Sequence, residues 1–404
     1  MNTDLEFSFS QQIEPFYRQL VELLLHDLDS LDDIEKQIRL EESCIAIEDL
    51  HKEELEDFLE IPSVDVHEQS IEKIDPYAAA IYQIVLDNSL EVILSVREQP
   101  LQHYRTQLDD ENQKQIFQEV CQNLNSICQF SDILPSAQKL YDWLILPAEP
   151  ILQEQEITTL VFILDRFLCS LPMAVLHDGN QYLIEKYNIV LTPGLNLLPP
   201  QNLTKSKLSF LIGGLTQARQ GFPAIPEVRH EIAQISQLIP AKILLDEEFT
   251  NQSLTEQFNN SSFSIFHLVS YVQCGYRAED TFVLTWCDRL KINDCSKLRE
   301  KNDIQSGIKL LVLTACNPVA EDPRTILGLT GMAICSGAES ILGTCWLRRE
   351  SSTINLLQEF YRLLTQQNMT QAEALRKAQI SLLQDSQYQH PYYWSSFILV
   401  GNWL

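Results

Sequence analysis

Two stretches close apolar runs with residues able to do chemistry. "LLVLTACNP" (310–318) places Cys316 just past a run of strand-forming residues, and "IFHLVSYVQ" (265–273) carries His267, Ser270 and Tyr271 along another. A thiol has an ordinary pKa of about 8.5, so only a few per cent is ionised at neutral pH. It works as a nucleophile when an imidazole within about 3 Å takes its proton and later returns it to a leaving group. His267 shares a strand face with Tyr271 but lies four residues upstream, roughly 13 Å away at about 3.3 Å per residue. Cys316 therefore reads in two ways, as residual thiol chemistry or as a small residue that packs well. Thr314, Cys316 and Tyr271 match no metal-ligand set, and no Cys/His spacing fits zinc. No cofactor is expected.

The elements that must hold these residues are legible as repeated apolar runs of strand length: "TTLVFILD", "KLSFLIGG", "AKILLD", "SFSIFHLVS", "IKLLVLTAC", "AESILGTCW" and "WSSFILVGNW". Helical patterns over 226–238, 326–337, 351–366 and 370–384 separate them. Near-continuous Val/Ile/Leu strands alternating with helices predict an α/β fold with a mostly parallel sheet covered by helices on both faces. In such sheets chemistry collects at the carboxyl ends of the strands. "AAIYQIVLDNSLEVILSV" reads as a hairpin around "DNS", and a helix is expected near 108–130. Gly213 and Gly214 read as a strand-ending turn, and the strand holding His267 is expected to give way to a polar turn with Tyr271 and Val272 at its head.

Composition narrows the function classes. The chain has 404 residues and a formal charge of −27. Residues 1–75 hold 22 Asp+Glu against 5 Lys+Arg, a net of −17, which leaves −10 for the other 329 residues. Such a surface repels phosphate backbones and anionic lipid, so neither nucleic acid nor membrane is an expected partner. Apolar residues at three- and four-residue spacing over 11–60 predict helices with a dense acidic outer face, read first as a solvated surface and second as a docking face for a basic partner. Residues 1–75 are thus expected as an acidic helical segment and linker, and 76–404 as the main domain. Ten cysteines without a CxxC pair, no signal peptide and no apolar run of transmembrane length predict reduced thiols in a cytoplasmic protein.

Several stretches, in order, resemble one family: "SLPMAVLHDGNQYLIEKYNIVLTPGLNLL" (170–198), "GLTQARQGFPAIPEV" (214–228), "LLVLTACNP" (310–318), "GLTGMAICSGAESILGTCW" (328–346) and "HPYYWSSFILVGNWL" (390–404). They are similar to CHAT domains, caspase/separase-like cysteine peptidase domains found in bacteria, including cyanobacteria. The resemblance covers about residues 76–404 and implies a caspase-like fold with a Cys–His dyad. It puts the nucleophile at Cys316 and the catalytic His-Gly of the family's "HxATHG" motif at Tyr271 and Val272. It also implies acidic residues after Trp346, where this chain has Arg348 and Arg349, read either as surface charges or as a pocket redirected toward an acidic group.

The substitution at Tyr271 drives the functional expectation. A phenol of pKa about 10 is the wrong strength to activate a thiol or to protonate a leaving amine near pH 7. In subtilisin, loss of the catalytic His costs on the order of a million-fold in rate. A β-branched Val tolerates positive φ badly, so a Gly-dependent oxyanion loop is lost as well. The chain is therefore expected to be a pseudopeptidase, binding a protein or peptide, with another CHAT or caspase-like peptidase among the candidate partners. The alternative is an active cysteine endopeptidase using Cys316 and a base recruited from another His or a partner chain. His177, His230 and His390 offer no obvious replacement.

Overall fold

The computed structural model describes residues 9–404 except 65–70, 109–115, 117–118, 121, 125–132, 166–167, 170, 198–207, 261–262, 276, 295–307, 317–323, 345–350 and 368. Of Cys316 only the backbone is described. Arg348 and Arg349 lie outside the described residues, as does most of the helix expected near 108–130.

The strands are β1 (Ala78–Val85), β2 (Ser89–Ser95), β3 (Gln102–Gln107), β4 (Thr159–Leu164), β5 (Asn188–Thr192), β6 (Phe210–Gly214), β7 (Ala241–Leu245), β8 (Ile265–Gln273), β9 (Phe282–Leu284), β10 (Arg289–Lys291), β11 (Leu310–Cys316), β12 (Ser340–Thr344) and β13 (Phe397–Gly401). Among the described residues they form one sheet, ordered β10-β9-β8-β11-β12-β13-β5-β4-β1-β2-β3, with β6 beside β8 and β7 beside β6. The inner pairings β6–β8, β8–β11, β11–β12, β13–β5, β5–β4 and β4–β1 are parallel. Antiparallel pairs sit at the ends and at β12–β13. The fully buried apolar runs of β1, β4 and β12 are what a sheet covered on both faces requires.

Helices α1 (Glu14–Leu24), α2 (Asp33–Leu59), α3 (Leu134–Leu144), α4 (Glu227–Leu238), α5 (Asn251–Asn260), α6 (Arg324–Ser336), α7 (Ser351–Gln366) and α8 (Gln371–Gln384) cover it. Two glycines show how tightly. A Cβ at Gly214 would lie 2.7 Å from Val228 of α4, and one at Gly213, facing the other way, 2.4 Å from Phe249. Both are the last residues of β6 rather than a turn beyond it, because only a bare backbone admits α4 on one face and Phe249 on the other. A Cβ at Gly343 of β12 would meet Leu329 of α6 at 2.8 Å. Gly343 points opposite to Leu342, whose register partner Val312 shares the α4 side with His267. Thus α6 covers the face that α4 does not.

The acidic N-terminal helices lie against this body. Asp32 caps α2 by accepting from the Glu35 N–H. Arg18 of α1 makes a two-pronged ion pair with Asp165, at 2.7 and 2.8 Å, and donates to the Val85 carbonyl. On α2, Glu48 is an exception to the expected solvated acid. It is buried and accepts from Tyr82 Oη at 2.7 Å, Asn196 Nδ2 at 3.0 Å and the Leu195 N–H. Gln37 trades two hydrogen bonds with the Leu101 backbone, and His51 Nδ1 meets the Pro193 carbonyl at 2.8 Å.

Candidate functional site

The parallel pair β8–β11 brings the two chemically unusual stretches side by side. Leu310 to Thr314 run in register with Ile265 to Val269. A bulge then follows, and Cys316 pairs with Val272. The backbone of Cys316 therefore stands beside Tyr271–Val272 at the carboxyl ends of both strands, where parallel α/β sheets carry their sites. Strand β8 does not turn at Tyr271 as expected but runs on to Gln273, because Val272 and Gln273 also pair with Val283 and Phe282 of β9. Tyr and Val suit an extended, buried backbone. Val272, fully buried, is extended and takes no positive φ. Ser270, within the bulge, donates through its hydroxyl to the Leu284 carbonyl at 2.6 Å.

Tyr271 is itself buried, at 4 % exposure, with its ring 4.9 Å from that of Phe222. Phe222 arrives there on a tight two-residue turn. Arg219 and Phe222 exchange backbone hydrogen bonds at 3.0 and 2.7 Å across Gln220 and Gly221, which both take positive φ. This is the primed hairpin turn, and Gly221 at φ +86° supplies its second left-handed position at no steric cost. The turn is latched from outside. Gln220 Nε2 donates to the Thr285 and Asp288 carbonyls, and the Arg219 guanidinium stacks 3.3 Å above the Trp286 ring. The Arg289 guanidinium lies 4.5 Å from Phe282 and 5.9 Å from Phe222. The position that the resemblance assigns to an imidazole thus holds a phenol beneath a self-supplied aromatic cover. Phe222 passed unread in the sequence, although the Gln220–Gly221 pair signals a turn that could carry it.

His267 is fully buried four residues upstream of Tyr271, with Val312 as its register partner. Its Nε2 lies 3.1 Å from Glu231 Oε1 on α4 and 3.3 Å from Thr314 Oγ1, and Thr314 donates to the same carboxylate oxygen at 3.0 Å. The Tyr361 ring of α7 packs 5.8 Å from the imidazole, and burial, with the Glu231 charge, pushes its phenol pKa well up. This polar cluster ties α4 to β8 and β11 from beneath the strand ends. Glu231 was not singled out in the sequence; a lone acid on an amphipathic helix gives no hint of burial.

The other histidines are placed as follows. His177 and His390 each accept a backbone N–H through Nδ1 in a turn, from Gly179 and Tyr392, and burial lowers the His177 pKa. His230 faces outward on α4. His26 and His103 meet Asp27 and Glu91, His51 sits on α2, and His67 lies outside the described residues. Among the described residues no helix is long and apolar enough to cross a membrane.

A family model described as "CHAT domain" matches residues 134–402. No curated protein matches the chain. Two solved structures of the Saccharomyces cerevisiae separase–securin complex are similar in fold at 10 % identity. One has a TM-score of 0.50 and aligns 96 % of this chain with 34 % of the other; the second has a TM-score of 0.40 and aligns 96 % with 27 %. The chain therefore spans about a third of the chain it matches, and the likeness, at that identity, concerns the fold.

Proposed function

The chain belongs to the CHAT domain family, and from that premise we propose that it is a peptidase-shaped protein that holds polypeptide without cutting it. The observation that carries the reading is the side-by-side placement of Cys316 and Val272, with Tyr271 buried under Phe222 where an imidazole would be needed. A phenol of ordinary pKa about 10 neither takes a thiol proton near pH 7 nor protonates a leaving amine. The extended, doubly paired Val272 replaces the Gly-dependent loop that would offer an N–H to an oxyanion. The only imidazole along β8 is tied to Glu231. On this reading residues 1–75 are a helical segment docked on the caspase-like body of 76–404. Cys316 is a vestigial nucleophile, and Arg348 and Arg349 favour an acidic group in the bound polypeptide. The partner is a protein, as securin is in the complex to which the fold is similar.

The test is hydrolysis of a fluorogenic peptide library spanning basic, acidic and apolar residues before the scissile bond. The expected result is no cleavage above that of Cys316→Ala. Turnover by the wild-type chain that Cys316→Ala abolishes would overturn the proposal.

A further inference from the structure

The N-terminal helical hairpin carries a feature that the cleft does not explain. α1 turns Phe16, Leu20 and Leu23 to solvent, and α2 turns out Ile34, Ile38 and Ile45. Phe16 is 78 % exposed, Ile34 76 % and Leu23 70 %. The two helices pack on each other, joined by the short connection 25–32. Single exposed apolar residues are ordinary, but three large ones at helical spacing on each of two packed helices are exposed apolar surface of the kind that marks an interaction site. Their order matters. Ile34, Ile38, Glu41 and Ile45 recur at steps of four, three and four, the alternating seam of a seven-residue repeat. Along one border of that seam run Glu35, Glu42 and Asp49, each seven residues after the last. Glu35 is shared with Arg39 at 3.1 Å. Glu41, Glu42 and Asp49 are exposed and make no ion pair among the described residues.

We propose that this face seats a helix of another protein, apolar along its own seam and bordered by Lys or Arg. The apolar seam supplies contact area. The unpaired carboxylates at the bordering positions select a basic partner, as charged flanks do in paired helices. A second copy of this chain is disfavoured, because an antiparallel two-fold pairing of the seam would set the Glu42–Asp49 border against its own image, and a parallel one would need the opposite border, whose Gln37 and His51 are bonded within the chain. Anionic lipid is disfavoured by the same charges. The proposal does not depend on the chemistry at Cys316.

The test uses the full chain and two synthetic helical peptides of about four heptads. The peptides share one Leu/Ile seam and differ in having Lys or Glu along the border. Fluorescence anisotropy is expected to show the Lys-bordered peptide binding at least about tenfold more tightly, with affinity falling as salt rises from about 0.05 to about 0.3 M. Ile38→Ser with Ile45→Ser should abolish binding while lowering the thermal unfolding midpoint by no more than about 3 °C, since Ile38 is already 44 % and Ile45 59 % exposed. Glu42→Lys with Asp49→Lys should reverse the preference between the peptides. Equal affinity for both peptides would overturn the proposal, as would binding untouched by the Ile substitutions. A wild-type dimer in sedimentation that Ile38→Ser with Ile45→Ser dissociates would also overturn it, assigning the face to a second copy. Co-sedimentation with phosphatidylserine vesicles lost in the same variant would do so in favour of membrane.

Discussion

Arg18→Ala removes the cation that holds the N-terminal hairpin against the sheet. Arg18 presents two guanidinium nitrogens to the two Asp165 oxygens at 2.7 and 2.8 Å, and one of those oxygens also accepts the Val85 N–H at 3.0 Å. Breaking one side of a buried pair costs about 3–5 kcal/mol, because the partner charge is left uncompensated. Unfolding entropy of about 2.1 cal/mol/K per residue, over 404 residues, is about 0.85 kcal/mol/K, so calorimetry should show Tm falling by roughly 4–6 °C. The pH dependence has a definite sign. Burial by itself would raise the Asp165 pKa. The Arg18 hydrogen bonds and charge, helped by His51 and the Val85 N–H, overcome it and hold the carboxyl below its usual range. Its contribution is therefore complete above the unfolded value of about 3.9 and is lost as pH falls through the depressed folded value. In Arg18→Ala the carboxylate keeps its burial and loses its main partner, so protonation relieves the cost. The gap in Tm between wild type and variant should narrow as pH falls from 7 toward 4. Arg18→Met with Asp165→Leu should recover only part of the loss, since an apolar pair leaves no orphaned charge but strips the Val85 N–H of its acceptor. A fall in Tm below about 1 °C, or a gap independent of pH, would refute the reasoning.

Further predictions concern the strand ends. Tyr271→His with Val272→Gly, combined with Phe222→Ala to lift the aromatic cover, should raise Cys316 alkylation by a peptidyl electrophile at least about tenfold over the wild type. No gain would mean that the loss of the dyad extends beyond these positions. Glu231→Leu strips His267 and Thr314 of a shared acceptor and should cost about 1–3 kcal/mol in denaturant unfolding. A neutral result would show that the cluster is solvated. Gly213→Val drives a side chain into Phe249, where even a Cβ would stand 2.4 Å away, and should reduce the yield of folded protein more than the same change at Gly221, where a Cβ would meet nothing within 4 Å and the cost is confined to the φ of +86° in an exposed turn. Expression of the two variants side by side, scored by soluble yield and circular dichroism, decides it.

The architecture was legible because buried parallel strands are written as Val/Ile/Leu runs of fixed length. The runs read from 159 onward appear as β4, β6, β7, β8, β11, β12 and β13, and the "DNS" hairpin as β1 and β2. Of the strands that escaped, β5, "NIVLT", carries that signature over only three residues, and β3 lacks it. β3, "QHYRTQ", is a polar edge strand held by pairing with β2, and Glu91 of β2 gathers His103 and Arg105 from it. The placement of Tyr271 beside Cys316 was implied by the family resemblance, but the burial of Tyr271 was not. That depends on a loop some fifty residues upstream folding back through a left-handed turn to deliver Phe222. The acid of residues 1–75 was read first as a solvated outer face, yet Glu48 is a buried acceptor bonded to Tyr82, Asn196 and the Leu195 N–H. Periodicity assigns a face to a residue but says nothing about which acid finds donors there.

The central claim is that the Cys316 thiol has no imidazole to activate it. The most direct measurement is intact-mass detection of a peptidyl electrophile bound to the wild-type chain at neutral pH, with Cys316→Ala as the control. The account predicts the same adduct level in both proteins. A stoichiometric adduct on the wild-type chain, mapped to Cys316 and suppressed by replacing any one histidine with Gln, would contradict it.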